Sequence, residues 1–490
     1  MTAGHETDDP KGRFGPEMVR LVVVFAVWGL AFFALWYVVP KSYEFSDPIF
    51  YAMRAYDLPQ IATWEMDHPF DHRLGLLFSH WLAYTTLGVN EVSSFLPQFA
   101  FFLLLLVAGA RFRLTAFEYT LYAFGIAPLV LQAFSIFPDL PVTALMLWAV
   151  SFLSDRKGFR DGILFAILGV AAFLFKLTAY WLIVPLLTVL IFDVAHRRAD
   201  LRFYGAVFGC GFLLMAGYLL YFQIMFSDPL LRLKTVSDFG TLHHWSIESP
   251  MALINRLFFT SFSQISGVAG ILLFLAFAGC ALADRSDVHL VSFFLGSLAL
   301  LVFGSTSFQS YQPLPLFDRM LITIVPPAAI LGAKAITAIG DDISARNRWS
   351  GKIFLAISSI FIFYQSFVVL VADANGRMED VRQPALRILA ETLSESNEAH
   401  AIIAEPRTRQ MLGIFLDFST EFEERTSVCP GRSGAPSTGP TVYYADRTLA
   451  EYLATTYGDR TCADVVRARA IKARADIIYD SDDVFLAIAR

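Results

Sequence analysis

Long apolar runs separated by short polar segments are the dominant pattern of this chain. Eleven of the runs approach the roughly 20 apolar residues that a helix needs to cross a bilayer core of about 30 Å. These runs are 21–40, 93–110, 116–134, 140–154, 161–175, 177–193, 203–222, 257–282, 290–306, 320–339 and 353–372. The pattern predicts an all-α polytopic membrane protein that lies in a lipid bilayer and has eleven transmembrane helices.

Two stretches depart from a simple crossing. Residues 73–88 are apolar but contain Ser, His, Trp, Tyr and Thr side chains, so we expect a helix at the membrane interface. Residues 161–194 would form one helix of about 50 Å at 1.5 Å per residue, which is too long for a single crossing. Because Lys176 lies in the middle, we predict two short crossings with Lys176 at the turn between them.

Positive charges orient the predicted helices. If the N-terminus is cytoplasmic, the cytoplasmic segments hold 15 Lys and Arg residues and the opposite segments hold eight, although the opposite loops are longer. We therefore predict a cytoplasmic tail at 1–20 and a transmembrane domain at 21–372 with a long outer loop at 41–92. Residues 373–490 would then lie outside the cytoplasm.

The region 373–490 is polar, and we expect it to be a small α/β domain. Strand-like runs and one helix-like run alternate in it. The strands are predicted at Ala401–Ala404, Thr441–Tyr444 and Asp476–Arg490, and the helix at Arg447–Tyr457.

Composition agrees with a membrane protein and excludes one class of partner. The chain is 56% hydrophobic and 17% charged, whereas soluble domains have about 25% charged residues. Its net charge of −6 is not that of a nucleic-acid binder. Cys429 and Cys462 lie in the polar region, and whether they form a disulfide stays open.

Two aspartates beside apolar runs are the first candidates for chemistry. Asp47 lies after the first run and Asp139 opens a later one, and the charge count places both on the outer side. Carboxylates at the mouth of an apolar bundle are costly to keep. Capping of a helix is one interpretation, since Asp and Pro commonly begin helices. The alternative is a general base at Asp47, with Asp139 orienting an acceptor or binding a metal.

Two cations fall on the same predicted side. Lys176 lies within an apolar stretch, where it either extends toward the interface or contacts an anion such as a lipid phosphate. Arg319 opens another run, and its guanidinium has the geometry to bind phosphate oxygens. Asp318 beside it is an alternative, local partner.

The first outer loop contains a dense group of ionisable residues, 66–73. It is either a solvated loop or part of a polar cleft over the membrane. Asp67 and His243 are weak candidates for a divalent metal, because no fixed ligand spacing supports them. A metal therefore stays open, and no other cofactor is predicted.

In their order along the chain, these positions resemble the GT-C superfamily of membrane glycosyltransferases. The nearest resemblance is to the branch of the lipid A aminoarabinose transferases, the protein O-mannosyltransferases and the rhizobial lipopolysaccharide galacturonosyltransferases. Asp47-Pro48-Ile49-Phe50-Tyr51 is similar to the family's acidic Asp-x-x-x-Tyr motif, and His68-Pro69 to its basic-or-His-Pro motif. Asp139, Lys176 and Arg319 stand where the family has an Asp, a Lys and an Arg at later spans.

The resemblance implies a polyprenyl-phosphate-linked sugar as donor, with its phosphate at Lys176 and Arg319. It also implies Asp47 as general base, inversion at the anomeric carbon, and substrate contacts from Tyr51, Asp67 and His68. The acceptor would be a hydroxyl of a glycolipid or glycan, such as lipid A, core lipopolysaccharide or another envelope polymer. The implied location is the bacterial inner membrane, with the C-terminal domain in the periplasm.

Two other functions stay open on the sequence. Many relatives carry a second acidic residue where this chain has Pro48, and some carry Lys where it has His68, so an inactive scaffold or assembly protein is one alternative. A secondary transporter is the other, although the inverted repeats that it predicts are not apparent. The sequence does not indicate the sugar, the acceptor or the oligomeric state.

Overall fold

The structure is a computed structural model of the 490-residue chain. It describes residues 16–38, 47–66, 68–242, 265–305 and 318–378, with isolated positions between and after these ranges. In the C-terminal region it describes 401–404, 426–428, 441–447, 463–481 and 484–489. The predicted residues Asp67, His243, Cys429 and Cys462 lie outside the described residues.

The described part of the chain is mostly helical. Its α-helices are α1 (Pro16–Val38), α2 (Asp47–Tyr56), α3 (Leu74–Leu87), α4 (Glu91–Ala110), α5 (Ala116–Gly125), α6 (Asp139–Asp155), α7 (Gly158–Phe175), α8 (Ile183–Ala195), α9 (Leu201–Phe226), α10 (Leu231–Leu242), α11 (Ile265–Leu282), α12 (Val288–Phe303), α13 (Val325–Arg346), α14 (Arg348–Met378) and α15 (Ala463–Lys472). Shorter 3₁₀ segments are Leu58–Thr63, Ala127–Phe134, Leu177–Leu182, Arg285–Asp287 and Asp318–Thr323. Residues Met1–Val39, which include α1, form one compact unit, and Pro40–Arg490 form another.

Helices occupy the described parts of all eleven predicted runs. Six of the described helices are long and apolar enough to cross a membrane, and a seventh crossing results if α5 and the following 3₁₀ segment, bent by 43°, are taken together. The number of eleven crossings stays a prediction. Helix α3 has 14 residues, about 21 Å at 1.5 Å per residue, which is shorter than a bilayer core of about 30 Å. Its position at the interface stays a prediction.

Helix α6 lies at the centre of the helical core. It packs against α4 and α7, and 14 of its 17 residues are buried. A helix that is apolar and buried on all sides must be surrounded by other helices. Helices α11 and α13 also approach closely, because a Cβ at Gly279 would lie 2.3 Å from the carbonyl oxygen of Leu331. Asp139, the first residue of α6, therefore lies among packed helices.

The long apolar stretch 161–194 is interrupted at the predicted position. Helix α7 ends at Phe175, and Lys176 has an extended backbone with φ −153° and ψ 144°. A 3₁₀ segment, Leu177–Leu182, then leads into α8. The break leaves Lys176 outside the regular helices on either side.

The C-terminal region contains a five-stranded sheet in the order β2-β1-β3-β5-β4. Strands β2 and β3 run parallel to β1, and β5 runs antiparallel to both β3 and β4. The strands are β1 (Ala401–Ala404), β2 (Thr426–Val428), β3 (Thr441–Asp446), β4 (Asp476–Asp480) and β5 (Val484–Ala489).

The sequence predicted β1 and β3, but it missed β2 and α15. The single strand-like run predicted at Asp476–Arg490 is two antiparallel strands, β4 and β5. Val466 and Ala470 of α15 pack on Tyr443 and Phe485 of the sheet. The helix predicted after Arg447 falls on residues that the structure does not describe. The domain boundary at residue 373 stays a prediction.

Candidate active site

An ion pair joins the start of α2 to a late segment of the chain. The Asp47 carboxylate lies 2.9 Å from an Nη1 atom of Arg319, and their side chains are 15% and 26% exposed. Asp47 is the first residue of α2, where a carboxylate interacts favourably with the helix dipole. The Arg319 guanidinium also lies over the Phe137 ring, 4.6 Å from its centroid. The pair is thus partly buried.

A second, more buried ion pair lies next to the first. Lys176 Nζ donates to Asp139 Oδ1 at 2.5 Å, and the two side chains are 11% and 4% exposed. Lys176 Nζ also lies 3.1 Å from the sulfur of Met320, the residue that follows Arg319. Asp139 is the first residue of α6, but no side-chain hydrogen bond caps this helix. The Asp139 carboxylate instead binds a cation from the break between α7 and α8.

Arg73 lies between the two pairs. It is the N-cap residue of α3, where a cation opposes the helix dipole, so local helix stability does not explain it. Its guanidinium is within electrostatic range of Asp47 and Asp139 and packs over the rings of Tyr51 and Phe70, at 5.1 and 4.7 Å. Burial lowers the pKa of Arg73, and the two carboxylates partly offset this effect, so the resulting pKa is about 10. Arg73 is therefore charged at neutral pH.

The cluster of these five residues has an excess of positive charge. It contains three cations, Arg73, Lys176 and Arg319, and two carboxylates, Asp47 and Asp139. Partly buried like charges are costly unless counter-charge is supplied. Counting only these five described residues, one more anion would balance the charge, and guanidinium groups have the planar geometry that suits phosphate.

The rest of the first outer loop packs against this cluster. The Tyr51 side chain is fully buried and supports Arg73. The His68 ring packs on Phe50 and Phe70, with centroids 5.0 and 4.3 Å apart, so it lies in the same aromatic layer as Tyr51. The described part of this loop is therefore packed, and the interpretation as a solvated loop is wrong for it.

Two further side chains near the cluster, Asp71 and His72, add no net charge to it. Arg54 pairs with the fully buried Asp71, with Nε and Oδ1 2.7 Å apart. Burial lowers the pKa of His72 to about 4, and its Nε2–H donates to the Met66 carbonyl at 3.1 Å. His72 is neutral at pH 7, so neither side chain changes the charge of the cluster.

No metal site is formed within the part of the chain that the structure describes. There, no group of three or more His, Cys, Asp and Glu side chains comes together. The two weak metal candidates, Asp67 and His243, fall outside it, so the question of a metal stays open.

Comparison with known proteins gives matches among solved structures only. No family model and no curated protein sequence matches the chain. ArnT from Cupriavidus metallidurans in the apo state is 13% identical, with a TM-score of 0.56, over 96% of this chain and 98% of that chain. ArnT from the same organism bound to undecaprenyl phosphate is 13% identical, with a TM-score of 0.58, over 98% and 99%.

A third match comes from another domain of life. The archaeal oligosaccharyltransferase AglB from Archaeoglobus fulgidus, in complex with an inhibitory peptide and a dolichol-phosphate, is 10% identical, with a TM-score of 0.50. The match covers 97% of this chain and 74% of that one. The chain has the GT-C fold. The resemblance drawn from the sequence motifs is thereby confirmed at the level of the fold.

Within this GT-C fold, two residues of the site region were not indicated by the sequence pattern. Arg73 was only the first residue of an interfacial helix, although a cation at a predicted helix N-terminus is itself an unusual signal. Gln98, fully buried in α4, donates from Nε2 to the Phe137 carbonyl at 3.0 Å and so fixes the ring on which Arg319 lies. No local sequence signal distinguishes Gln98 from other polar residues in apolar runs.

Proposed function

We propose that this protein is a membrane glycosyltransferase that moves a sugar from a polyprenyl-phosphate donor to an acceptor hydroxyl outside the cytoplasm. The observation that carries the proposal is the five-residue charged cluster with one positive charge in excess. Two proteins with the same fold bind a lipid phosphate: ArnT binds undecaprenyl phosphate and AglB binds a dolichol-phosphate. A lipid phosphate would supply an anion that balances the charges of these five described residues.

Lys176 and Arg319 would bind the donor phosphate. A donor phosphodiester carries one negative charge, and the phosphate monoester that leaves carries up to two. The electron pair of the broken bond between the anomeric carbon and oxygen goes to this phosphate. Positive groups fixed around the leaving oxygen stabilise the developing charge more in the transition state than in the ground state.

Asp47 would act as general base. The acceptor oxygen forms the new bond to the anomeric carbon from the opposite face, and its proton passes to the Asp47 carboxylate. Asp47 forms an ion pair with Arg319. A donor phosphate that binds Arg319 competes with Asp47 for the guanidinium, so donor binding would release carboxylate oxygens for the acceptor.

Asp139 would act mainly through Lys176. Its carboxylate pairs with the Lys176 ammonium group and would fix its direction. Tyr51 and His68 would support the donor side of the site through Arg73 and the aromatic layer of the first loop.

The acceptor and the compartment follow from the family resemblance. The proposed acceptor is lipid A, core lipopolysaccharide or another envelope glycan, reached in the periplasm of a bacterial inner membrane. The C-terminal sheet would lie on that side.

The glycolipid profile of cells carrying Asp47→Asn tests the proposal. Its matched control is Asp155→Asn, because Asp155 lies at the other end of α6 in an exposed ion pair with Arg113. We expect a glycolipid product, identified by mass spectrometry of the envelope, to disappear with Asp47→Asn and to persist with Asp155→Asn. Equal profiles, with Asp47→Asn folded and inserted, would instead favour an inactive scaffold.

A further inference from the structure

Arg232 is a buried cation that the charged cluster does not include. It lies in α10, and the residue is only 3% exposed. Among the described residues, no carboxylate forms an ion pair with it, whereas its neighbour Lys234 pairs with Asp228 at 2.5 Å. A buried arginine in a membrane protein is costly, and it usually marks a functional contact.

Besides interacting with Tyr218 of α9, Arg232 contacts the end of α7. Its Nη1 donates to the Phe173 carbonyl at 2.8 Å, and the guanidinium lies over the Phe173 ring, 4.6 Å from its centroid. The last carbonyls of a helix have no partner within the helix, and a cation there interacts favourably with the dipole. Arg232 therefore caps the C-terminal end of α7 from another helix.

The capped end is the place where Lys176 leaves α7. The Lys176 N–H still bonds to the Ala172 carbonyl at 3.1 Å, but its own backbone is extended and its side chain turns to Asp139. The direction of Lys176 thus depends on where the last turn of α7 lies. Arg232 fixes that turn, and it is also within electrostatic range of Arg73.

We propose that Arg232 is a positioning residue for the lipid-phosphate site. It holds the last turn of α7 so that Lys176 is directed into the cluster, and it acts on the phosphate through Lys176. This inference rests on the proposed function, because it assumes that Lys176 binds the donor phosphate.

Binding of undecaprenyl phosphate to the purified full chain in nanodiscs, measured by native mass spectrometry, tests the proposal. The variants are Arg232→Gln, Arg232→Lys, Lys176→Ala and the double variant Arg232→Gln/Lys176→Ala. Lys234→Gln is the matched control, because it removes an exposed cation from the same helix.

We expect Arg232→Gln to weaken binding by about tenfold, which corresponds to about 1.4 kcal/mol. Arg232→Lys should restore part of the affinity, and Lys234→Gln should bind as the wild type does. Because Arg232 acts through Lys176, the double variant should bind no more weakly than Lys176→Ala alone.

Three results would contradict this inference in different ways. Fully additive losses in the double variant would mean that Arg232 acts independently of Lys176. Unchanged binding in Arg232→Gln, with binding lost in Lys176→Ala, would overturn the role of Arg232 and leave the proposed function intact. A wild-type chain that does not bind undecaprenyl phosphate would overturn both.

Discussion

Arg319 contacts the carboxylate of Asp47 at 2.9 Å, and these two residues come from the first outer loop and from the start of a late helical segment. The contact makes one guanidinium common to the candidate base and the candidate phosphate site. A change at Arg319 should therefore affect both the binding of the donor and the chemical step.

Arg319→Ala should lower kcat/KM for sugar transfer by roughly 10²- to 10³-fold, the usual cost of removing one group that stabilises a developing negative charge. Arg319→Lys should keep part of the activity, because it retains the charge but loses the planar pair of donors. Steady-state kinetics with the purified enzyme measures both effects.

The control for this series is Arg346→Ala. Arg346 forms an exposed ion pair with Asp342 in α13, and its removal should leave kcat/KM unchanged. If Arg319→Ala transfers sugar as fast as Arg346→Ala does, Arg319 has no part in the reaction.

For the Asp139–Lys176 pair, removing one charge should destabilise the protein much more than removing both. Asp139→Asn leaves the Lys176 ammonium group buried without its partner, which typically costs about 3–5 kcal/mol. Asp139→Asn/Lys176→Met removes both charges and should recover most of this loss. Thermal unfolding in detergent compares the variants, and equal destabilisation of the single and double variants would show that the pair is not coupled.

Lys176→Ala separates a role in binding from a role in helix anchoring. We expect KM for the lipid donor to rise more than KM for the acceptor, because of the two substrates the proposed role of Lys176 involves only the donor. Kinetics with each substrate varied in turn measures this ratio. Equal increases in both constants would indicate that Lys176 only anchors the end of α7.

Residue type and helix order singled out four of the five residues of the charged cluster, because buried charges are rare in apolar runs. Asp139 and Lys176 stood out for this reason, and the count of loop charges placed them on one side. The pairing itself was not predictable, since it depends on how α6 and α7 pack. Which carboxylate meets which cation is a property of the tertiary structure.

The residues that the sequence did not reveal act through other groups. Gln98 holds a backbone carbonyl and Arg232 holds the end of a helix, and neither contact is encoded by a local pattern. The C-terminal region shows the same limit, because β2 is a three-residue strand whose position is set by its pairing with β1.

His72 predicts how stability depends on pH. Burial lowers its pKa from 6.5 to about 4, so between these values the unfolded chain binds a proton that the folded chain does not. Stability must then fall as the pH falls from 6.5 toward 4. At 1.36 kcal/mol per pKa unit, the free energy of unfolding falls by at most about 3 kcal/mol because of His72.

His72→Gln should remove this contribution. Unfolding temperatures measured from pH 7 to pH 4 should fall less steeply for His72→Gln than for the wild type, although the variant starts from a lower value at pH 7 because a packed ring is lost. Parallel curves for the two proteins would mean that His72 does not titrate in this window.

The predicted membrane orientation can be tested with two fusions. Asp139 and Asp155 are the ends of α6, about 24 Å apart at 1.5 Å per residue, so the cluster and Asp155 should lie at opposite faces of the membrane. Alkaline phosphatase fused after Met378, at the end of α14, should be active, because the loop charges place this end outside the cytoplasm. The same reporter fused after Asp155 should be inactive, and fluorescence of a green fluorescent protein fused there should be retained. If alkaline phosphatase fused after Met378 is inactive while green fluorescent protein fused after Met378 fluoresces, the C-terminal region is cytoplasmic. The predicted odd number of crossings would then be wrong.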